Sequence, residues 1–216
     1  MSQPVPVSGV DAVSLPAPKQ GSDASLYSAL QQRRTVRELS PRPLGPQLLS
    51  NLLWSAFGVN RASGPFGLPG RTAGSASNSQ EIDIFALLDE GAYRYVAQGH
   101  RLMRVSSDDL RAFALTPGQH DVAAHAAIEL VYVADIDRLV HTRGFQEPRL
   151  HDPEGQKSYY FLDAGLIAQN VYLFAAANGL GAWFHNCDRD ALARGLALGP
   201  QQHVLFAHSV GYVLQT

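Results

Sequence analysis

Three guanidinium groups and a hydroxyl fall within five residues at Arg33-Arg34-Thr35-Val36-Arg37. Surface charge is ordinarily scattered and mixed in sign. Here it is concentrated, of one sign, and set just ahead of a chain break at Ser40-Pro41. Arg presents a planar fork that meets phosphate oxygens two at a time, so the matching partner is an anion with several oxygens. A solvated basic turn would carry the same residues. The cluster alone does not separate the two readings.

A second segment, Gly70-Arg71-Thr72-Ala73-Gly74-Ser75-Ala76-Ser77-Asn78-Ser79-Gln80-Glu81, stands directly before a strand-like run. Its small residues let backbone approach a ligand closely, and Ser75 and Asn78 offer neutral hydrogen bonds. That suits a polyhydroxylated or heteroaromatic ligand; a low-complexity linker has a similar composition. A third, Asn178-Gly179-Leu180-Gly181-Ala182-Trp183-Phe184-His185-Asn186, reads as a helix end feeding a buried strand that exits into the polar pair His185-Asn186.

Other chemistries find little support. The eight His include no pair at the spacing of a helical zinc motif, and Cys187 is the only cysteine, so neither a zinc site nor an internal disulfide is expected. Asp135-Ile136-Asp137 lacks the rest of a calcium loop, and there is no Gly-x-Ser-x-Gly elbow or phosphate-binding Gly-x-x-x-x-Gly-Lys. The formal net charge of -2 implies no general affinity for nucleic acid, which makes the Arg cluster a local site. The longest apolar run, residues 159–177, is interrupted by Asp163, Gln169 and Asn170, so it is expected to be buried in protein rather than in a membrane. Residues 1–20 are rich in Pro and Ser and lack the apolar core of a signal peptide; a cytoplasmic location is expected.

These segments need a scaffold. Residues 1–22 are expected to form a flexible arm, or one that wraps a partner subunit, ahead of a single domain over 23–216. A helix is predicted over residues 24–32. Another opens at Pro46, repeats Leu48, Leu49, Leu52, Leu53, Ala56 and Phe57 at helical spacing, and ends at Gly58. Residues 60–79 read as a loop long enough to be functional or disordered. Strands are predicted over 82–88, 92–96, 101–105 and 127–134. A helix is expected to open at Ser106-Ser107-Asp108-Asp109, and residues 135–157 read as an irregular lid-like segment. A long helix runs from about Tyr159 to the cap pair Asn178-Gly179. A short strand over 181–184, a helix over 188–196 and a strand over 204–213 close the chain. Helices, then a strand meander, then a long helix and more strands predict an α+β fold with a largely antiparallel central sheet.

Taken together and in order, the three segments resemble the FMN-dependent nitroreductase family. That family has an Arg-Arg-Ser-x-Arg type motif, a Pro-Ser-x-x-Asn-x-Gln loop before its first central strand, and a long helix ending in Gly-Leu-Gly. The resemblance spans about residues 24–213. Residues 52–60, Gln80-Glu81-Ile82-Asp83-Ile84 and the hairpin Gly91-Ala92-Tyr93-Arg94-Tyr95 resemble its thiazoline- and oxazoline-oxidising branch. The resemblance implies that Arg33, Thr35 and Arg37 hold the FMN phosphate and the polar edge of the ring, with Arg34 contributing backbone. It implies that Ser75 and Asn78 reach the flavin from a neighbouring subunit, and that His185 and Asn186 lie along it and supply a backbone N–H toward N5. It implies a homodimer with flavin at the subunit boundary, and NADH or NADPH reducing a nitroaromatic, quinone or similar small-molecule acceptor by ping-pong hydride transfer. Arg37 is then the cation beside the pyrimidine edge of the reduced ring. The alternatives are oxidation of an azoline-like substrate, or flavin binding without turnover. The sequence departs from the family pattern at Gly74, where Pro is usual, and past the last strand, where a Lys or Arg is common and this chain has Val213-Leu214-Gln215-Thr216. The loop over residues 63–69 also looks lengthened.

Overall fold

The computed structural model describes residues 12–19, 24–120, 126–145 and 148–214. Seven strands form one sheet in the order β1-β6-β5-β4-β7-β9-β8, every neighbouring pair antiparallel. They are β1 (Ala12–Ser14), β4 (Ile82–Leu88), β5 (Gly91–Val96), β6 (Arg101–Ser106), β7 (Ile128–Asp135), β8 (Leu180–His185) and β9 (Gln202–Tyr212). β2 (Val59–Arg61) and β3 (Gly70–Arg71) pair as a separate small hairpin. The α+β architecture with an antiparallel central sheet and a long helix, expected from the sequence, is the one observed.

β4 and β7 are apolar on nearly every residue because both faces of the sheet are covered. Their alternate side chains serve two cores. Ile84, Ala86, Leu130 and Tyr132 pack under α2 (Pro46–Phe57) and α4 (Pro153–Ala177). Phe85, Leu87, Val131 and Val133 pack under α5 (Arg189–Gly195) and the turn at Leu110 and Ala114. α1 (Leu26–Gln32) is capped by Ser25, whose side chain accepts from Ser28 N–H, and packs on α4. Gly58 ends α2 where a Cβ would lie 2.4 Å from the Trp54 ring.

Four expectations change. Within the predicted arm, residues 12–19 lie against the domain. β1 pairs with β6, Leu15 N–H donates to His100 O, and Ser50 Oγ donates to Pro16 O at 2.6 Å. Residues 135–157 are not wholly irregular. Asp135 caps α3 (Ile136–Val140), and α4 begins at Pro153, one turn and a half before the predicted start, with Asp152 accepting from Gly155 N–H. The residues that read as breakers there form an N-cap followed by Pro at the first helical position, which starts a helix. No α-helix opens at Ser106. Asp109 spends its carboxylate on Arg111, and only a single 3-10 turn, Arg111–Ala114, follows before Pro117. The long loop is structured by β2, β3 and two short turns.

Candidate functional site

β8 is an edge strand, and the Arg segment runs along it: Val36 N–H donates to Ala182 O at 2.9 Å. Two bonds just beyond it, Leu214 N–H to Glu38 O and Ser40 N–H to Tyr212 O, fix the chain after the segment against the end of β9. Tyr172 on α4 then organises it. Its hydroxyl accepts the Phe184 N–H at 2.9 Å and meets Thr35 Oγ1 at 3.2 Å, and the Arg33 guanidinium lies 5.3 Å from its ring centre.

A cavity of about 360 Å³ opens here, lined by Arg33, Arg34, Val36, Tyr172, Gly179 and Val213 among others. Arg33, Arg34 and Arg37 have no carboxylate partner among the described residues. Such a donor set, uncompensated guanidiniums beside a hydroxyl, fits a phosphate and the polar edge of a heterocycle. Past the last strand the uncharged Val213 lines the same cavity, so the cations on its walls are Arg33 and Arg34. Arg37 stands apart from them: it stacks on Trp183, 5.3 Å from the ring centre.

His185 turns into the fold. Its Nε2 meets Ser209 Oγ at 2.8 Å, its Nδ1 meets Asn186 O at 2.9 Å, and Ser209 Oγ donates to the buried Glu129 carboxylate. Trp183 lies over the His185 ring at 4.3 Å. The His185 side chain is therefore committed to the core, and only backbone at this strand exit, with exposed Asn186, is free for a ligand.

The Ser75–Asn78 stretch sits elsewhere in the same chain. Ser75 Oγ accepts from Gln80 N–H, Asn78 Oδ1 accepts from Gln80 Nε2, and Ala76 N–H donates to Asp163 Oδ2 of α4 at 2.8 Å. Ser77, Asn78 and Gln80 have φ of 49°, 55° and 52°, a left-handed region uncommon for residues with a Cβ and typical of ligand clamps. A Cβ at Gly74 would meet nothing within 4 Å, so the space beside it is open within this chain. Beneath the loop, Glu81 and Asp163 are both buried. Glu81 Oε2 accepts from Ser79 Oγ, Oε1 meets no donor, and the Glu81 carboxyl interacts with that of Asp163. Burial and the Asp163 charge push the Glu81 carboxyl up to about 7, and burial raises Asp163 as well. One proton held between them satisfies both.

The structure thus brings Arg33, Arg34 and Thr35 together, and Ser75 and Asn78 together, but keeps the two groups on different parts of α4. Sequence reasoning misses Tyr172 and Asp163. Each is a polar group in an apolar helix, which is itself a signal. A further cavity, lined largely by Val13, Leu15, Pro41, Pro43 and Leu49, lies under β1; its Arg111 is already paired with Asp109. Among the described residues no cluster could hold a metal ion, and no helix is long and apolar enough to cross a membrane.

A model of the nitroreductase family matches residues 30–212. A Methanocaldococcus jannaschii protein assigned as a nitroreductase is 29% identical over 166 residues, covering 74% of this chain and 77% of its own. A crystallised Ralstonia eutropha JMP134 protein with the same assignment is 31% identical, has a TM-score of 0.83, and aligns over 98% of this chain and 93% of its own. In fold alone, a chain of the E. coli microcin synthetase McbBCD complex is also similar, at 15% identity and a TM-score of 0.68, over 100% of this chain and 85% of that one.

Proposed function

Because this chain belongs to the nitroreductase family, we propose that it is an FMN-dependent oxidoreductase that uses NADH or NADPH to reduce a nitroaromatic, quinone or similar acceptor by two electrons. Bound at the Arg segment, FMN would supply reversible hydride transfer, chemistry that no side chain offers. The observation that carries the reading is the pair Arg33 and Arg34, uncompensated among the described residues, lining one cavity with Tyr172. Arg33 and Arg34 hold the phosphate, and Thr35, fixed by Tyr172, takes a polar edge. Arg37, exposed on Trp183, is the cation for negative charge on the reduced ring. Reductant and acceptor use one face in turn, so no protein nucleophile is needed.

Two copies complete the site in this reading. The Ser75–Asn78 loop is tied to α4 at Asp163 and the Arg segment at Tyr172. Nine residues of helix separate these ties, about two and a half turns and roughly 13 Å, which puts them on opposite sides of one helix. Between them runs an exposed apolar stripe of Leu162 and Leu166, continued by half-buried Leu173. A helix apolar on all sides is expected to be buried on all sides. A second copy laid on that stripe covers it and brings the loop of one chain toward the Arg segment of the other. The FMN-binding unit is residues 23–216, and dependence on reduced nicotinamide fits the cytoplasm.

The test is spectroscopic. Protein loaded with FMN is expected to lose its visible flavin absorbance with NADH or NADPH under nitrogen, and to regain it on adding a quinone or nitroarene. Bleaching by an azoline but by neither nicotinamide identifies the dehydrogenase instead. FMN-loaded protein inert to all of these is a binder without turnover.

A further inference from the structure

A cavity of about 510 Å³ lies between the loop over residues 66–80 and α3, with Phe66, Leu68, Arg71, Arg138, His141 and Arg143 on its walls. Its cations are not equivalent. Arg138 is matched: Nη2 meets Asp83 at 2.9 Å and Asp135 at 3.1 Å, and Nη1 donates to the Gln80 carbonyl. Arg71 is not. Its Nε donates to Gln80 Oε1 at 2.6 Å and its Nη1 to Phe57 O at 3.0 Å, both neutral acceptors, so most of its five donors remain open. Burial lowers the pKa of Arg71, and the charge of Arg138 lowers it further, against opposing contributions from Tyr95 and Asp83. Arg143 is exposed and makes no hydrogen bond or ion pair among the described residues.

The opposite wall is apolar and strained. Phe66 and Leu68 are 47% and 43% exposed, and Phe66 holds φ at 60°, a conformation an aromatic residue adopts only when its surroundings impose it. At Gly144 a Cβ would fall 2.5 Å from Ser77 Cβ and 2.8 Å from Phe66 Cζ. That contact presses the turn carrying Arg143 against the loop. Phe66 and Arg71 also line the adjoining cavity of Ser75, Ser77 and Asn78, so the basic cavity opens beside the loop assigned to the flavin.

We propose that this cavity is an anion subsite for a substrate of the flavin reaction: Arg71 and Arg143 take a carboxylate or phosphate whose apolar or aromatic body rests on Phe66 and Leu68. The inference builds on the proposed function, which places the reacting ring near Ser75 and Asn78. Two sources could bring that anion, a nucleotide phosphate on the reductant or an acid group on the acceptor.

Calorimetric titration of FMN-loaded protein, without turnover, tests the subsite. The ligands are two pairs that differ in an anionic group: para-nitrobenzoate with para-nitrobenzyl alcohol, and NADP+ with NAD+. Arg143→Glu reverses an exposed charge and leaves the core untouched. It is expected to weaken the more anionic member of one pair about tenfold or more relative to its partner, the loss of a charge-assisted contact. A selective loss for the benzoate assigns the subsite to the acceptor, and a selective loss for NADP+ assigns it to the reductant; either supports the proposal. Arg71→Gln is expected to act on the same pair. FMN-loaded protein in which Arg143→Glu changes the members of each pair equally, or not at all, overturns the subsite alone. Protein that takes up no FMN overturns the functional reading and the subsite with it.

Discussion

Thr35 Oγ1 lies 3.2 Å from the Tyr172 hydroxyl, though 137 residues separate them along the chain. Because the same oxygen accepts the Phe184 N–H, one phenol joins the Arg segment, the long helix and the edge strand. Tyr172→Phe keeps the ring that Arg33 and His208 pack against and removes only this oxygen. The variant loses two hydrogen bonds and is expected to lose about 1–3 kcal/mol of stability in urea unfolding, at about 0.5–1.5 kcal/mol for each. It should also bind FMN several-fold more weakly. Unchanged values for both would show that the hydroxyl anchors nothing.

Arg33→Ala removes a cation that has no carboxylate partner among the described residues, so little internal structure is lost with it. Truncation should cost FMN binding roughly 1.5–3 kcal/mol, or about ten- to a hundred-fold in affinity, as for a hydrogen bond to a charged group. Flavin fluorescence titration measures it. Wild-type affinity in the variant would remove Arg33 from the phosphate site.

The Glu81–Asp163 pair gives stability a pH dependence of known sign. Glu81 titrates near 4.5 when unfolded and about 7 in the fold. Between those values the folded chain holds more protons, so stability falls as pH rises through the window and levels off above it. The loss is on the order of 3 kcal/mol at most. Glu81→Gln, which can donate permanently to Asp163, is expected to flatten the thermal midpoint between these limits. A wild-type midpoint that rises across the window would contradict the shared proton.

What the sequence reveals follows the range of the interactions. The strand over residues 82–88, the Pro46 start of α2 and the Asn178-Gly179 end of α4 are local patterns, and each is found where predicted. The Arg33–Arg37 motif is also local, and its pairing with β8 adds tertiary detail only. The start of α4 at Pro153 was legible in principle, since Asp152-Pro153 is an N-cap pair, but Gly155 and the polar residues before it resemble a loop. β1 is not legible, because its strand character comes from the edge of β6. Nor is the commitment of His185 to Ser209 and Glu129, which depends on the register of three strands. The division of the candidate site across α4 needs the helix phase of Asp163 against Tyr172, together with knowledge of what touches each.

The most direct measurement of that division uses Leu166→Glu. Leu166 is 44% exposed in the single chain and belongs to neither flavin segment, so within one chain the change should cost little, as surface substitutions usually do. Sedimentation velocity, followed by protein and by flavin absorbance, reports assembly and FMN binding together, with circular dichroism confirming the fold. The account predicts that wild type sediments as a dimer carrying flavin. It predicts that the variant sediments as a folded monomer with FMN affinity reduced at least about a hundred-fold, the site having lost its second half. A folded monomer that binds FMN as tightly as the wild type would contradict it.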